Sequence, residues 1–206
     1  QEDALRILRA YRFMRRDEGP LWHIDHALAT ALSQHSTRLR MVAIERRWME
    51  LEKILTGQRP GEVLEKMQTD GVLRHVLEEF AVVNPHLFTV LDDAELNQLS
   101  LAQRLALLMI EYPTKEAMKQ MDALRTSKAL QRTTASFHER LGHLPAPRKP
   151  QLRVFNHVLG NGAKAHLSIL RSCCNASINV HTGLPLLAET VDEVIASWTE
   201  LHGSPA

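Results

Sequence analysis

The apolar residues of this chain recur at helical spacing, and this pattern constrains the fold more than any other feature. Residues 39–56 place five such side chains on one face of a helix: Met41, Ile44, Trp48, Leu51 and Leu55. Only 5% of the 206 residues are aromatic, and runs of β-branched residues, which strands favour, are few. A hydrophobic content of 44% is ordinary for a globular core. The sequence therefore predicts an all-α protein.

Turn and cap residues predict where several helices begin and end. Gly19-Pro20 should end the first helix, because proline cannot continue the hydrogen-bond ladder. Asp25 is a plausible N-cap, and Pro60 to Gly71 fits one complete helix. Further helices are expected over 72–80, 99–110 and 186–201, with Thr114 capping another and a helix pair around 160–162. Asp92-Asp93 is interpreted as a helix cap, and the proline-rich segment 144–150 as a linker.

The first turns of the chain carry a pair of side chains that could read a nucleobase. In a helix, Asp3 and Arg6 project from the same face, since they are three residues apart. The carboxylate can accept from the exocyclic amino group of cytosine or adenine, while the guanidinium donates to the neighbouring ring nitrogen. Uracil and guanine present the opposite pattern and would be refused. The alternative is an ordinary ion pair that compensates the helix dipole.

The longer string EDALRILRAYRF, which begins at Glu2, closely resembles the EDxxR segment of class II tRNA nucleotidyltransferases, the CCA-adding enzymes, and of bacterial poly(A) polymerases. Similar strings follow in the family's order over about the first eighty residues: Ile24-Asp25, Val42-Ala43-Ile44-Glu45-Arg46, Glu50-Leu51-Glu52-Lys53-Ile54-Leu55, Pro60 and Gly71-Val72-Leu73. The resemblance implies a neck over 1–82 with the base-reading helix, a helical body over 83–147 and a helical tail over 148–206.

The resemblance also implies an activity and the residues that serve it. The intact enzyme would add C, C and A to tRNA 3′ ends from CTP and ATP, and Asp3 and Arg6 would act as the amino-acid template for the incoming base. Glu2 and Arg9 are assigned supporting roles. Glu45, Arg46 and Glu50 lie in the family's ERxxxEL segment, and the resemblance implies that this segment braces the first helix without touching substrate. Arg12 is expected to face solvent.

A local excess of positive charge predicts where RNA lies. The whole chain has a net charge of only +1, but residues 115–153 hold nine Lys or Arg against three Asp or Glu. We expect the tRNA backbone to follow this part of the chain, with phosphate contacts from five residues: Lys128, Arg132, Arg148, Lys149 and Arg153. Basic helices that only face solvent are the open alternative. The acidic helix over 186–201 should be avoided by RNA.

The sequence lacks the machinery for nucleotidyl transfer itself. That reaction needs carboxylates that hold two divalent metal ions, which the resemblance assigns to Mg²⁺ on a separate head domain. No such motif stands in these 206 residues, and the pair His23 and His26 has no third ligand nearby. We therefore expect no catalytic or metal-binding residue here and interpret the chain as an inactive fragment. Alternatives are a poly(A) polymerase, a partial CC- or A-adding enzyme, and a stand-alone RNA-binding or scaffold module.

Cysteine usage and hydropathy suggest a compartment. The two cysteines, Cys173 and Cys174, are adjacent and cannot readily bridge each other, which favours a reducing environment. No apolar run approaches the ~18 residues that a membrane helix needs. These features predict a cytoplasmic protein with no membrane association. The resemblance implies tRNA and nucleoside triphosphates as its partners.

Overall fold

The computed structural model describes residues 2–14, 22–77, 83–160, 162–181 and 187–203, except for the side chains of Glu2, Asp3 and Glu95. Eleven α-helices and three short 3-10 helices make up this described part, which contains no strand. The predicted all-α class is confirmed. The chain forms helices throughout because its apolar residues repeat at helical spacing and its glycines and prolines stand at helix ends.

The α-helices, numbered in chain order, alternate with short connections. They are α1 Glu2–Arg12, α2 His26–His35, α3 Ile44–Leu55, α4 Pro60–Thr69, α5 Pro85–Leu91, α6 Leu101–Leu108, α7 Thr114–Ala123, α8 Lys128–Leu141, α9 Lys149–Leu159, α10 Gly162–Asn175 and α11 Ala188–His202. The 3-10 helices are Ser36–Met41, Leu73–His75 and Ala94–Leu96.

Several predicted boundaries are confirmed because they rest on local backbone chemistry. The Asp25 carboxylate accepts a hydrogen bond from the Leu28 amide at 2.9 Å and caps α2. Pro60 opens α4, and the chain turns after it at Gly71, whose φ of 71° suits glycine. The predicted helix pair is present as α9, which ends before Gly160, and α10, which begins at Gly162.

Other boundaries were wrong where a tertiary contact outweighed the local signal. The predicted helix over 39–56 begins only at Ile44, because Val42 is extended and buried while Met41 is 67% exposed. The first helix ends at Arg12, well before Gly19-Pro20, which lie outside the described residues. Thr114 is the first residue of α7 and not its cap, since its hydroxyl contacts His138 Nδ1 at 2.9 Å.

The helix predicted over 72–80 is also shorter than expected. The structure has a single 3-10 turn at Leu73–His75, and residues 78–82 lie outside the described part. Leu73, Val76 and Leu77 are nevertheless buried. A short turn places these apolar side chains in the core without a full helix, so the apolar pattern alone overestimated its length.

Two apolar clusters form the core of the protein. The larger one runs from Ala4 to Val191 and includes most helices, with α1 packed on α3 and α6 packed on α8. The smaller one joins α9, α10 and α11 through five buried residues: Leu152, Phe155, Ala163, Leu167 and Val194. The division into neck, body and tail at residues 82 and 147 stays a prediction.

A carboxylate from a distant segment caps α4. Asp92 accepts hydrogen bonds from the backbone amides of Gly61 and Glu62, each at 2.7 Å. The predicted capping role of Asp92 is thus confirmed, although the helix it caps lies thirty residues earlier in the chain. Burial raises the pKa of Asp92, and its two backbone hydrogen bonds partly oppose that shift. Gly61 is required here because a Cβ would overlap the Phe88 carbonyl.

Candidate nucleotide and RNA interface

Helix α1 is fixed to the protein by one apolar face. Five of its residues are buried: Ala4, Leu5, Ile7, Leu8 and Tyr11. They recur at helical spacing and pack mainly against α3, with smaller contacts to α2 and α4. Arg6 lies on the opposite side and is exposed, while Arg9 is half-buried. The buried apolar face therefore fixes the position of α1, and its arginines lie on the other side of the helix.

A buried tyrosine adds a polar anchor to this apolar face. The Tyr11 hydroxyl donates to Asp70 Oδ2 at 2.7 Å, and Lys66 Nζ lies 2.6 Å from Asp70 Oδ1. Burial and the neighbouring Asp70 carboxylate raise the pKa of Tyr11, so its hydroxyl keeps its proton near neutral pH. This contact fixes α1 relative to the end of α4, because the phenol is too deeply buried to find another partner.

Glu50 of α3 binds the basic edge of α1. Its carboxylate is only 5% exposed and lies 3.0 Å from Arg12 Nη1, 3.8 Å from Arg9 Nε and 3.2 Å from Lys53 Nζ. The expectation that Arg12 faces solvent was therefore wrong. A buried carboxylate needs such partners, since an uncompensated charge in the core is strongly unfavourable.

Glu50 contacts α1 directly, whereas the supporting role of Glu45 stays a prediction. Glu45 is exposed and forms an ion pair with Arg125 at 3.0 Å, which links the start of α3 to the end of α7. Arg46 is half-buried on the same helix. Glu50 is the second glutamate of the ERxxxEL segment and lies on the buried face of α3 together with Arg47, Leu51 and Ile54.

The structure places the candidate base-reading pair on one helix without testing the contact. Asp3 and Arg6 both lie within α1, as the predicted spacing requires, and Arg6 is exposed. The side chains of Asp3 and Glu2 lie outside the described part of the structure. Base reading by Asp3 and Arg6 therefore stays a prediction.

The five candidate phosphate contacts are all exposed. Lys128 and Arg132 stand on α8, and Arg148, Lys149 and Arg153 stand at or near the start of α9. Lys128 Nζ already lies 2.7 Å from Asp122 Oδ1, so a nearby acid partly offsets its charge. Among the described residues, no ion pair involves Arg148, Lys149 or Arg153. The cations at the start of α9 are thus more available to bind phosphate than Lys128 on α8.

Sequence reasoning missed a buried arginine that joins distant segments. Arg104 of α6 donates to the carbonyl oxygens of Leu55, Gly57 at 2.8 Å and Asn97 at 3.0 Å. Burial lowers the pKa of Arg104 from its usual value. Little in the sequence indicated that Arg104 is buried, because an arginine inside the leucine-rich run 101–108 could equally have faced solvent.

Two further features bear on ligands and membranes. Within the described ranges, no three His, Cys, Asp or Glu side chains are close enough to hold a metal ion, and His23 and His26 are exposed. Neither Cys173 nor Cys174 forms a disulfide in the described part of the chain. No helix in the described part is long and apolar enough to cross a membrane.

One segment of this chain matches a known protein family. Residues 23–83, from just before α2 to just before α5, match the family described as "Probable RNA and SrmB-binding site of polymerase A". This segment contains Glu45 and Glu50 but not α1. The match shows that this segment is similar to that family, and it leaves the base-reading pair untested.

Individual relatives are more specific. The mitochondrial CCA tRNA nucleotidyltransferase 1 of Mus musculus is 35% identical over 94 residues, which is 42% of this chain and 22% of the relative. The CCA-adding enzyme of Levilactobacillus brevis is 39% identical over 74 residues, 36% of this chain and 18% of the relative. The multifunctional CCA protein of Pasteurella multocida is 26% identical over 203 residues, 92% of this chain and 46% of the relative.

These matches confirm the resemblance stated from the sequence. The chain is similar to CCA-adding enzymes and, over residues 23–83, to a polymerase A family, and the mouse relative is a tRNA nucleotidyltransferase by name. The chain spans less than half the length of each relative described above.

Proposed function

We propose that this chain is the nucleotide-selecting and RNA-binding part of a tRNA nucleotidyltransferase that adds C, C and A to tRNA 3′ ends. Asp3 and Arg6 would select CTP and ATP by hydrogen bonding to the base edge. The phosphates of tRNA would lie along α8 and α9. Magnesium and the reacting triphosphate would be held by a head domain outside this chain, and the chain alone would be inactive.

The anchored position of Arg6 is the observation that carries this proposal. Selecting a base by hydrogen bonds requires donors and acceptors that stay in place, because a side chain on a mobile support would pair with every base. Tyr11 and Glu50 both fix α1, while Arg6 remains exposed on its outer side. This combination of a fixed helix and an exposed arginine is what a protein template needs.

The proposed RNA contact has separate support. The match over 23–83 is to an RNA-binding family, and the Pasteurella relative aligns through α8 and α9. Exposed cations on α8 and α9 can bind phosphate without a fixed geometry. A basic surface of this kind gives affinity and orientation, whereas the choice of nucleotide is left to α1.

Replacing Arg6 by Ala in the full-length protein tests base selection. The substrate is a tRNA lacking its terminal CCA, offered each labelled nucleoside triphosphate in turn with Mg²⁺. We expect incorporation of C and A to fall, or U and G to enter, because the ring nitrogen of the base loses its donor. Arg171→Ala is the control, since Arg171 is exposed and pairs with Asp192 at 3.2 Å far from α1. Unchanged rate and selectivity in the Arg6 variant would reject the proposal.

A second candidate activity is poly(A) addition, because the matched family is described from polymerase A. Incorporation with CTP alone and with ATP alone separates the two. A CCA-adding enzyme stops after two C residues and needs ATP to finish, while a poly(A) polymerase extends RNA with ATP alone and ignores CTP. Addition of C without A, or A without C, would instead indicate a partial enzyme.

The stand-alone alternative is tested with this chain alone. Incubation with labelled ATP, Mg²⁺ and tRNA lacking its terminus should give no incorporation, and any incorporation would overturn the fragment interpretation. Binding of the same tRNA should weaken steeply with salt, because phosphate contacts release counterions. Absence of binding at low salt would favour a scaffold that docks another protein.

A further inference from the structure

The family match and the phosphate contacts expected on α8 and α9 fall on different parts of the chain. The match covers residues 23–83, whereas all five candidate phosphate contacts lie beyond it. The matched segment has no net positive charge, since it contains eight Lys or Arg against nine Asp or Glu. Any contact that it makes with phosphate must therefore come from a local surface whose cations are not already paired.

Half of these eight cations already have partners inside the protein. Arg47, Lys53, Arg59 and Lys66 bind the His75 carbonyl oxygen, Glu50, Glu62 and Asp70 at 2.6, 3.2, 2.6 and 2.6 Å, respectively. Arg46 on α3 is half-buried. The other three, Arg38, Arg40 and Arg74, are exposed, and among the residues that the structure describes none of them forms an ion pair. These three are the cations of the matched segment that remain available to an external anion.

The three exposed arginines stand on two 3-10 helices that pack together. Arg38 and Arg40 lie on Ser36–Met41, and Arg74 lies on Leu73–His75. Leu39 is fully buried between the first two arginines, so its side chain holds this helix against the core while they flank it at the surface. The sequence from 26 to 44 contains no Asp or Glu that could neutralise them. We call Arg38, Arg40 and Arg74 the 3-10 arginine surface.

The 3-10 arginine surface adjoins the helix that carries the candidate base reader. The 3-10 helix Ser36–Met41 packs against α1, on which Arg6 is exposed. Helix α9 packs instead against α10 and α11. An RNA phosphate at the 3-10 arginine surface would therefore lie near the nucleotide that is being added, whereas phosphates on α9 would belong to a more distant part of the RNA.

We propose that the 3-10 arginine surface binds backbone phosphates of the RNA substrate close to its 3′ end. The inference rests on the proposed function and adds to it a second RNA contact, separate from α8 and α9. Guanidinium groups bind phosphate oxygens through paired, charge-assisted hydrogen bonds. A triphosphate is a compact group that Mg²⁺ neutralises, whereas arginines spread over two helices suit the successive phosphates of a strand.

The double variant Arg38→Gln, Arg40→Gln tests the phosphate contact with this chain as it stands. The probe is a fluorescein-labelled tRNA lacking its terminal CCA, and fluorescence anisotropy gives its affinity at several salt concentrations. Each lost phosphate contact lowers the slope of log affinity against log salt by roughly one, so we expect the slope to fall by about two. The affinity at moderate salt should fall about tenfold, because fewer counterions are released. Adding Arg74→Gln should lower both further.

A charge-matched variant controls for the loss of net charge. Lys164→Gln, Arg171→Gln removes two exposed cations from α10, outside both the matched segment and the basic region 115–153. It should leave the salt slope unchanged. Circular dichroism of each variant verifies that the helices remain folded, which we expect because all the substituted side chains are exposed.

A short RNA hairpin that contains only the acceptor stem tests the placement near the 3′ end. Its affinity should fall in the Arg38, Arg40 variant, because the proposed contact lies beside α1. The variant Lys149→Gln, Arg153→Gln should weaken the complete tRNA but not the hairpin. A hairpin that binds the Arg38, Arg40 variant as tightly as the parent chain, while the complete tRNA does not, would overturn the placement.

Kinetics of the full-length protein separate this inference from the proposed function. The Arg38, Arg40 variant should raise KM for tRNA and leave KM for CTP and the choice of C and A unchanged. A raised KM for CTP with unchanged tRNA affinity would show that the surface binds the triphosphate and would overturn the proposal, as would an unchanged salt slope. If Arg6→Ala alters selectivity while the Arg38, Arg40 variant binds tRNA normally, this inference fails and the proposed function stands.

Discussion

Helices α1 and α9 are both amphipathic and both basic, but the protein treats their cations in opposite ways. On α1, Arg9 and Arg12 are paired with the buried Glu50. On α9, Lys149 and Arg153 face solvent beside exposed valines, with no ion pair in the described part. The first helix is held by polar contacts on its inner edge, whereas the second leaves its cations and part of its apolar surface available to a ligand.

Paired cations suit a helix that selects a nucleotide, whereas exposed cations suit a helix that adds affinity for a macromolecule. A helix that must discriminate between bases needs a fixed position, and fixing it requires cations to be used inside the protein. A helix that contributes affinity needs accessible charge and apolar area, and it can tolerate small movements. If the contrast holds, substitutions around α1 should destabilise the protein more than substitutions around α9.

Alanine at two glycines should give the largest contrast. Gly61→Ala would place a Cβ against the Phe88 carbonyl and disturb the Asp92 cap, so we expect a loss of about 4 kcal/mol in the free energy of unfolding. Gly162→Ala, at the start of α10, has open space around it and should be neutral or slightly stabilising. Urea denaturation measures both. Similar values for the two variants would contradict the contrast.

Neutralising Glu50 should have the next largest effect. Glu50→Gln keeps the size of the side chain but leaves Arg12 and Arg9 without their counter-charge, so we expect a loss of about 3 kcal/mol. In the full-length protein the same change should reduce nucleotide selectivity, because α1 loses its polar contact with α3. A stability equal to that of the parent would show that Glu50 does not fix α1.

Acid should destabilise the region around α9 through His166. Its pKa is lowered from 6.5 to about 4 by burial, so below pH 6.5 the unfolded chain takes up a proton that the folded ring refuses. Stability should be complete above pH 6.5 and fall as the pH approaches 4, by roughly 2 kcal/mol at pH 5 for this residue.

A matched pair of variants isolates this contribution. His166→Gln retains a donor for the His143 carbonyl and removes the titrating ring, so the difference in unfolding free energy between pH 7 and pH 5 should shrink. His157→Gln, on the exposed side of α9, should leave that difference unchanged. An unaltered pH dependence in the His166 variant would show that other groups cause the acid sensitivity.

The smallest effect is expected at the exposed ion pair that Glu45, on the same helix as Glu50, forms with Arg125. Glu45 and Arg125 are 3.0 Å apart, but both side chains are largely in water. Glu45→Gln should therefore cost less than about 0.5 kcal/mol, because exposed ion pairs contribute little. Comparison with Glu50→Gln in the same urea titration measures how far burial, and not the ion pair itself, determines the effect.

The parts of the fold that sequence analysis predicted are those set by local chemistry. Asp25 caps α2 and Pro60 opens α4 because each acts on the backbone within a few residues. The resemblance to CCA-adding enzymes came from a linear string and could be recognised without any tertiary information.

The parts that could not be predicted depend on contacts between distant residues. Arg12 was expected in solvent because it shares one helical stripe with Arg6 and Arg9, and only the packing of α3 against α1 brings Glu50 to it. Asp92 was recognised as a cap, but its target at Gly61 and Glu62 became clear only in three dimensions. The 3-10 arginine surface depends on how two short 3-10 helices meet, which no local pattern encodes.

The guanidinium of Arg104 has a mechanical consequence. By binding the carbonyls at the end of α3 and the carbonyl of Asn97, it removes the hinge that the glycine-containing connection between α3 and α4 would otherwise provide. Helices α3 and α6 must then turn as one piece. A force or a ligand acting at α8, which packs on α6, would be transmitted to the support of α1 instead of being absorbed by a flexible joint.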